Sequence, residues 1–375
     1  MASLESLYPT IQVAFAEALK GHAGFVGHVA TDGNLAERVA KGQKVLWMAA
    51  TAGQAGDAVP GANGPRTQAM DVNDNYMEIE KVRNVPITIT GDHYKGMAGN
   101  IYPLIKGAIT DAVRKLVDEA DDLLAKKVLE GASRQAYLDF SQISAFPEIT
   151  KVYGSNKIQP ADKAEVVLNS DALLALQSTE HYNNASKYGT DELIRKGRLA
   201  DIHGYKIGSK PVLPALDITP VSGYTLDGDH AAGATQLNVL GGTGEIKAGA
   251  FISIILGETE QIHAGVVKTS LTGSGILELN APGLEADVPG GKSLNILSNP
   301  VKGVAYMPDF VRFIVRPPAV PDGGDSAIES QLFKDPVSGL VIEVARYKQY
   351  LQETLDVRIA YGAKVVDSAT VIRLT

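Results

Sequence analysis

The sequence predicts an α+β protein built from several structural parts. Three observations support this class. An alternating apolar pattern that is typical of extended strands comes first, and a long pattern of helical period follows it. A third section, residues 224–298, is rich in glycine and carries short apolar runs with no helical period. Strand and helix patterns therefore occupy different stretches of the chain, as they do in α+β proteins.

Residues 44–90 are predicted to form a long two-stranded ribbon. Its first limb begins with an apolar run, Val45, Leu46, Trp47 and Met48. The tip, residues 51–66, is rich in Gly, Ala and Pro, and the return limb is predicted over residues 76–90, where apolar residues alternate with Pro and Thr near the end. Because an isolated hairpin is marginally stable in water, a ribbon of this length is expected to lean on another subunit.

Residues 103–130 are predicted to form one amphipathic helix. Apolar residues recur at three- and four-residue spacing, and charged residues fill the opposite face. Pro103 suits a first helical turn, and Gly131 suits the position just past the end. A helix of this length spans roughly 40 Å, longer than an average globular helix.

A mixed α/β section follows the long helix. Residues 164–168 predict a buried strand. Asn169 can cap a short helix that ends at Gln177, and Thr190 can cap a second helix that ends at Gly197.

The two ends of the chain complete this organisation. Residues 4–20 predict an amphipathic helix interrupted near Pro9. A strand pattern resumes at residues 311–315, and a hinge rich in Pro and Gly is predicted at residues 317–324. Residues 355–361 alternate apolar and polar side chains, which predicts a half-buried strand.

Residues 224–298 are predicted to form a small all-β barrel or sandwich. They contain 13 of the 38 glycines, and they carry eight acidic and three basic residues, a net −5 of the total −8. Short strand patterns recur about every ten residues, separated by Gly-rich turns. The predicted strands are residues 235–240, 251–256, 261–267, 276–280 and 293–297.

Composition limits the classes of function. The 375 residues suffice for two or more domains with a substantial core. The absence of cysteine excludes disulfides, thiolate metal sites and cysteine nucleophiles. The net charge of −8 argues against gripping nucleic acid through phosphate contacts. No apolar run approaches a membrane span, and the first residues do not resemble a signal peptide.

Two near-motifs fail on their context. Residues 289–293 end like a phosphate-binding loop, but Ala286 stands where the first glycine is needed and a strand pattern follows. Residues 241–244 follow a strand as a dinucleotide fingerprint does, but Lys247 replaces the third glycine. Both stretches are interpreted as β-turns.

Titratable side chains also form no catalytic or metal-binding pattern. None of the seven histidines has the two-ligand helical spacing of a zinc site. The pair Asp121 and Asp122 is interpreted as solvated on the polar face of the long helix. Trp47, the single tryptophan, suits a core anchor and an intersubunit anchor equally well. The sequence therefore predicts no enzyme, no cofactor and no metal site.

The order of these parts resembles that of a known family. The matching stretches are residues 87–91, 191–197 with 202–205, 317–326, 335–340 and 358–366. In this order and combination they resemble the major capsid proteins of tailed bacteriophages, in the branch whose coat proteins carry an inserted β-barrel (the Salmonella podovirus coat-protein type). The resemblance covers essentially the whole chain, and it rests on the order of motifs that are not chemically specific.

The resemblance implies the tailed-phage major capsid protein fold (Hong Kong 97 type). That fold has an N-terminal arm, an extended β-ribbon loop, a long spine helix, peripheral and axial domains and, in this branch, the inserted small all-β barrel. The implied bounds are 1–43 for the arm, 44–90 for the extended loop, 91–163 for the spine helix and peripheral domain, 164–223 for the first axial part, 224–298 for the inserted barrel, 299–318 for the axial return strand and 319–375 for the peripheral C-terminal strands.

The resemblance also implies a function and partners. The chain is expected to self-assemble, as hexamers and pentamers, into an icosahedral shell that encloses double-stranded DNA without sequence-specific binding. Because the ribbon begins near residue 44, a separate scaffolding protein is expected. A portal protein is a further expected partner, a decoration protein is a candidate, and no membrane partner is expected. The implied location is the virion, with assembly in the host cytoplasm.

Two alternative functions stay open at this point. A bacterial nanocompartment shell shares the fold, although such shells generally lack the inserted barrel. A carbohydrate-binding or enzymatic protein that uses the β-barrel would need a converging polar cluster, which the sequence does not supply. With the capsid resemblance, Val45, Leu46, Trp47 and Met48 are predicted to form an intersubunit contact.

Overall fold

The structure of the protein is a computed structural model that describes ten stretches of the chain. These are residues 4–19, 24–51, 71–96, 102–158, 164–179, 202–218, 221–256, 261–297, 300–335 and 338–375. The predicted helix from Thr190 to Gly197 and much of the ribbon tip lie outside the described residues. The described stretches form a mixed α+β structure, so the predicted fold class is confirmed.

The first third of the chain carries the helices and strands that the ribbon and helix patterns predicted. They are α1 (Leu4–Leu19), β1 (Ala30–Gly33), β2 (Lys44–Thr51), β3 (Asp71–Glu78), β4 (Lys81–Thr90), α2 (Gly91–Gly96) and α3 (Tyr102–Glu130). Helix α1 runs through Pro9 without the predicted interruption. Its buried residues Ile11 and Phe15 belong to the main core together with those of α3, and this packing compensates the hydrogen bond that Pro9 cannot make.

Helix α3 confirms the prediction from its apolar spacing. Its apolar stripe is buried along nearly the whole length, from Ile105 to Leu129. Gly131 follows the last turn, and its N–H donates to the Lys127 carbonyl over 2.8 Å. A Cβ at Gly131 would lie 2.7 Å from a Val365 methyl group, so close packing requires glycine there. The glycine predicted just past the end of the helix is therefore present, and close packing against Val365 explains it in addition to its position at the helix end.

The middle of the chain forms a small sheet with two covering helices. Its elements are β5 (Arg134–Ala136), a 3-10 turn at Ile143–Ala145, α4 (Pro147–Ser155), β6 (Glu165–Leu168), α5 (Ser170–Gln177) and β7 (Lys206–Ser209). All four residues of β6 are buried, as predicted. The Asn169 side chain accepts a hydrogen bond from the Ala172 N–H over 2.9 Å, which confirms the predicted cap.

The last part of the chain supplies strands to two sheets. They are β16 (Gly303–Tyr306), β17 (Val311–Arg316), β18 (Glu329–Lys334), β19 (Val341–Gln349), β20 (Gln352–Val365) and β21 (Val371–Leu374), with 3-10 turns at Pro308–Phe310 and Ser368–Thr370. The small sheet has the order β5-β21-β16-β6-β7. The large sheet runs β1-β17-β20-β19-β18, with β4 also paired to β20.

The section predicted to hold the axial return strand, residues 299–318, contains two strands that belong to different sheets. The strand expected at residues 311–315 is present as β17, and it pairs with β1 and β20 in the large sheet. The strand that returns is β16, which pairs antiparallel with β6. Its four residues are too few for an alternation pattern to reveal them.

The predicted return limb of the ribbon also divides in two. Only β3 pairs with β2, over eight residue pairs from Lys44–Glu78 to Thr51–Asp71. Strand β4 instead pairs with β20 over ten residue pairs. A strand of the large sheet and a strand of the ribbon share one alternating pattern, because Ile79 and Glu80 between them do not break it.

Strand β20 is covered on both faces, which corrects the half-buried strand predicted there. Leu355 and Val357 lie in the core formed with α3. On the opposite face, Ala360 packs with Val39 in a smaller cluster, and Arg358 lies in a network of ion pairs. The alternation of apolar and polar residues predicted one exposed face, but that polar face is buried under another segment of the same chain.

The predicted hinge at residues 317–324 is bound at its start. The Val39 N–H donates to the Pro317 carbonyl over 3.1 Å, and the Ala319 N–H donates to the Val39 carbonyl over 2.8 Å. Pro cannot donate to a sheet ladder, so these two bonds on either side of Pro318 are the pairing that this segment allows. The segment thus holds residue 39 against the large sheet.

The glycine-rich section forms an all-β unit between β7 and β16. Its strands are β8 (Ser222–Leu226), β9 (Gln236–Thr243), β10 (Glu245–Ile246), β11 (Phe251–Ile255), β12 (Gln261–Val266), β13 (Leu271–Thr272), β14 (Gly275–Glu278) and β15 (Leu294–Leu297). Three small sheets, β14-β9-β8, β12-β11-β15 and β10-β13, surround one core of their own. All five predicted strands are present, and β8, β10 and β13 are additional.

We predict that residues 218–297, produced alone, unfold in one cooperative transition, because their apolar core is separate from the main core. Phe251 and Val266 pack against the main core instead, so the fragment should be less stable than the whole chain. A fragment of residues 224–298 cuts into β8 and should be less stable still. Circular dichroism during urea titration measures both; disordered chains in both cases would contradict a self-contained unit.

Candidate assembly surfaces and the contacts that hold them

The ribbon has one face turned toward its own chain and one turned outward. Val45 and Met77 are directly opposite each other and both are buried. The next pair, Leu46 and Tyr76, points to the other face, and these side chains are 47% and 48% exposed. Two large apolar side chains paired on an exposed face are unusual on a ribbon that, among the described residues, consists of β2 and β3 alone.

The base of the ribbon is fixed to the large sheet. The Arg312 guanidinium lies over the Trp47 ring, 4.9 Å from its centroid. The Lys364 ammonium donates to the Tyr76 carbonyl over 3.2 Å. Gly362 lies so close to the Glu78 carbonyl that no Cβ fits between them. A cation–π contact at a partly exposed site contributes roughly 0.5–1 kcal/mol, and here it also orients the ribbon.

The predicted intersubunit residues therefore have different surroundings. Val45 is buried and Trp47 packs against the same cluster, so both hold the ribbon to its own chain. Leu46 is exposed. Met48 lies in β2, but its side chain is outside the described set. A contact between subunits at this run stays a prediction, and within it Leu46 is the side chain shown to be accessible.

Asp121 of α3 is buried, which corrects its interpretation as a solvated residue. Its side chain is only 1% exposed, and Oδ1 accepts hydrogen bonds from the N–H groups of Phe25 and Val26 over 2.6 and 3.0 Å. A Cβ at Gly24 would overlap this carboxylate. From the sequence, Asp121 was expected on the polar face of the helix, and no local pattern showed that residues 24–26 cover it.

Lys210 supplies the compensating charge. Its ammonium lies 2.6 Å from Asp121 Oδ2 and 2.8 Å from Asp122 Oδ1. Burial by itself lowers the pKa of Lys210, but the two carboxylates outweigh it and the pKa lies above its ordinary value. This ion pair joins α3 to the end of β7, while the two N–H donors join α3 to the N-terminal segment.

A second carboxylate holds the same N-terminal segment. His28 Nδ1 lies 3.2 Å from Glu165 Oε2, and the Tyr306 hydroxyl donates to the same oxygen over 3.2 Å. The hydrogen bond with Glu165 raises the pKa of His28, and burial offsets part of that rise. For Tyr306, burial raises the pKa well above its ordinary value. The phenol therefore stays a hydrogen-bond donor.

A polar network covers the face of the large sheet opposite α3. Glu343 is fully buried and accepts hydrogen bonds from Arg38 at 2.6 and 2.9 Å, from Arg358 at 3.0 Å and from Ser330. Arg358 also donates to Asp325 over 3.0 Å. Burial by itself raises the pKa of Glu343, yet the hydrogen bonds from Arg38, Arg358 and Ser330 outweigh it and lower the pKa. The network fixes residue 38 to the centre of the sheet.

Three buried polar side chains join the all-β unit to the end of α3 and to β5. Asn280 donates to the carbonyl groups of Glu130 and Ala132 over 3.0 and 2.8 Å. Arg373 donates to the Leu129 carbonyl at 2.7 Å through Nε and to the Gly249 carbonyl at 2.7 Å through Nη1. These donors satisfy carbonyl groups that a helix C-terminus leaves without partners.

The third of these side chains, Arg134, donates to the Ala264 carbonyl over 2.9 Å. Burial lowers the pKa of Arg134 and also that of Arg373, which falls to about 9. Both guanidinium groups remain charged at neutral pH. The all-β unit is therefore attached by charged donors as well as by its two chain connections.

Of the two near-motifs, residues 289–293 contain a turn at Gly290 and Gly291, as interpreted, whereas residues 241–243 belong to β9, so the turn interpretation is wrong there. Lys292 donates to the Leu256 carbonyl over 2.7 Å, so its ammonium is already occupied. Gly241 and Gly242 have φ of 72° and 91° at the end of β9. Among the described residues, no group of three or more His, Asp or Glu side chains could hold a metal ion. Within that same set no helix has the length and apolar character needed to cross a bilayer.

Comparison with known proteins gave structural similarities only. No family model and no curated protein matches the sequence. The chain is similar to a solved structure of Mycobacterium phage Che8, with 11% identity, a TM-score of 0.45 and coverage of 89% of this chain and 85% of that one. It is similar to the mature capsid of bacteriophage PhiM1, with 11% identity, a TM-score of 0.46 and coverage of 94% and 87%. A virus-like particle from Pyrococcus furiosus gives 8% identity, a TM-score of 0.44 and coverage of 98% and 99%.

We predict that Lys210→Met lowers the free energy of unfolding by about 3–5 kcal/mol, because it leaves Asp121 buried without its cation. The double variant Asp121→Asn, Lys210→Met should recover much of that loss, since it removes both charges. Urea unfolding of the original chain, the single variants Asp121→Asn and Lys210→Met and the double variant gives the coupling between the two side chains. Lys115→Met is the matched control, because the Lys115–Asp111 pair on the same helix is 64% exposed on both sides and should contribute about 0.5 kcal/mol or less. Equal losses in the single and double variants would contradict the pairing.

Proposed function

We propose that this chain is the major capsid protein of a tailed bacteriophage, which self-assembles into an icosahedral shell around double-stranded DNA. The observation that carries the proposal is the ribbon β2–β3. Its base is anchored by Trp47 to its own large sheet, and its outward face exposes Leu46 and Tyr76. A ribbon that is held rigidly at its base and is apolar on its exposed face suits a repeated contact between identical subunits.

The part order supports the same function. An N-terminal segment, a ribbon, a 29-residue helix, a small sheet and an all-β unit between two strands of that sheet follow each other as in the sequence resemblance. We propose that the small sheet belongs to the axial domain and that the large sheet with α3 forms the peripheral domain. Such a subunit has a structural role, and its interfaces would consist of extended arms rather than one compact patch.

Within this function, we assign the intersubunit contact of the ribbon to Leu46 and Tyr76. Val45 and Trp47 then act indirectly, because they set the angle at which the ribbon leaves the body. Burying two side chains of this size in a neighbouring subunit would stabilise each contact by roughly 2–4 kcal/mol. Repeated around a ring, contacts of this strength suffice to favour closed assemblies.

The acidic all-β unit suits the outer surface of the shell, as in coat proteins of the Salmonella podovirus type. The net charge of −8 on the whole chain disfavours adhesion of the shell to packaged DNA. The proposed partners are further copies in hexamers and pentamers, a separate scaffolding protein, a portal protein and a candidate decoration protein. The proposed location is the virion after assembly in the host cytoplasm.

We predict that the purified chain, alone or produced together with a scaffolding protein, forms closed shells or rings of five and six subunits in electron micrographs. Such particles are expected because a neighbouring copy of the chain can bury the exposed apolar face of the ribbon. Particles that enclose other proteins and form without a portal or packaged DNA would favour the nanocompartment function. A monomer under all conditions, with and without scaffold, would contradict both.

We also predict that the double variant Leu46→Ser, Tyr76→Ser fails to assemble while its urea midpoint stays close to that of the original chain, since both side chains are exposed in the subunit. Sedimentation velocity measures assembly. The control is Leu35→Ser, which removes a leucine that is 39% exposed but lies outside the ribbon. Normal shells from the double variant would overturn the assignment of this contact without affecting the shell function itself.

A further inference from the structure

The N-terminal segment 24–29 is held by two carboxylates that come from different parts of the fold. Asp121 of α3 binds the N–H groups of Phe25 and Val26, as described above. Three residues later, His28 meets Glu165 of β6. Between the two contacts, the Phe25 ring packs on Tyr306 of β16, with ring centroids 5.4 Å apart. The segment thus bridges the long helix and the small sheet.

The two contacts differ in how they respond to pH. The Asp121 contact uses backbone N–H groups and the Lys210 ammonium, none of which titrates near neutral pH. The His28 contact uses an imidazole whose charge changes in that range. The His28 side chain is 43% exposed, so protons reach it freely, whereas the Glu165 side chain is 10% exposed.

We propose that His28 and Glu165 form a pH-dependent latch on the N-terminal segment, closed when the imidazole is protonated and weakened when it is neutral. A neutral imidazole can still donate one hydrogen bond to Glu165. It no longer supplies the charge that compensates a buried carboxylate, which then keeps only the Tyr306 hydroxyl and the neutral imidazole as described donors. Asp121 continues to hold the segment in both states.

The surroundings of His28 determine the pH range of the latch. Glu165 on β6 and Asp121 on α3 raise the pKa of His28, while its partial burial and Lys206 on β7 lower it, and the hydrogen bond with Glu165 is the largest influence. A group whose pKa is raised by folding stabilises the folded state fully below its unfolded pKa, here 6.5. That contribution is lost as the pH rises through the folded pKa. The latch should therefore be closed in mild acid and weakened in mild base.

The consequence concerns the chain that precedes the latch. Helix α1 packs against α3 and β18, and the next described residues after it are those of the segment 24–29. Weakening the His28 contact loosens one of the two carboxylate contacts that hold the segment through which this arm joins the body. A change of about one pH unit then alters how easily the arm separates from the main core, to which Ile11 and Phe25 belong.

Hydrogen exchange of the Phe25 and Val26 amides in the full-length chain tests the latch directly, because these are the N–H groups that bind Asp121. After correction for intrinsic rates, the opening constant should rise about fivefold between about pH 5.5 and about pH 8.5. In His28→Gln the opening constant should be high and independent of pH. The control His93→Gln, which changes an exposed histidine on α2, should retain the original profile.

A second measurement keeps the test independent of any folding defect. The NMR titration of the His28 ring in the original chain should give a pKa above 6.5, and Glu165→Gln should lower it. A His28 pKa at or below 6.5, or the same exchange profile in His28→Gln and in the original chain, would overturn the latch. Neither measurement requires shells, so the result stands apart from the proposed function.

Discussion

Helix α3 can run through the centre of the molecule only because its buried charge is compensated from two directions. Asp121 is about two-thirds of the way along the helix, on the side where the N-terminal segment crosses it. Two backbone N–H groups and the Lys210 ammonium surround the carboxylate. A buried carboxylate without such partners costs several kcal/mol, so the packing of the helix depends on both the N-terminal segment and Lys210 beside the small sheet. One side chain thereby couples three separate parts of the chain.

On the face of the large sheet opposite α3, a second buried carboxylate is also compensated, in this case by several charged groups. Glu343 is buried at its centre, and the arginines that satisfy it come from residue 38 and from the neighbouring strand β20. The base of the ribbon lies on the same sheet, with Arg312 over Trp47. The orientation of the ribbon is set by Val45 and Trp47, which pack against this sheet, whereas the outer pair Leu46 and Tyr76 remains exposed. The ribbon is therefore held rigidly at its base while its apolar outer face stays exposed.

Local patterns predicted most of the elements but not their partners. The apolar period over residues 103–130 and the five short strands of the all-β unit were read correctly, because each pattern reflects burial within one element. The boundary between ribbon and sheet was missed, since β3 and β4 continue one alternation while pairing with different strands. The buried state of Asp121 was missed for a related reason. Its partners are about 90 residues away in either direction, and spacing within a helix carries no information about them.

The position of the all-β unit determines how separable it is. Strands β7 and β16, where the chain leaves and returns, flank β6 on both sides and so lie roughly 10 Å apart. Such a short gap could be bridged by a simple loop, which makes the unit look like a detachable module. Asn280 and Gly249, however, provide the donor and the acceptor that complete the end of α3 and the surroundings of Arg373. Exchange of this unit by recombination would thus require a replacement that brings the same two groups to the same place. The end of α3 therefore depends on a unit that the chain connections alone would allow to be removed.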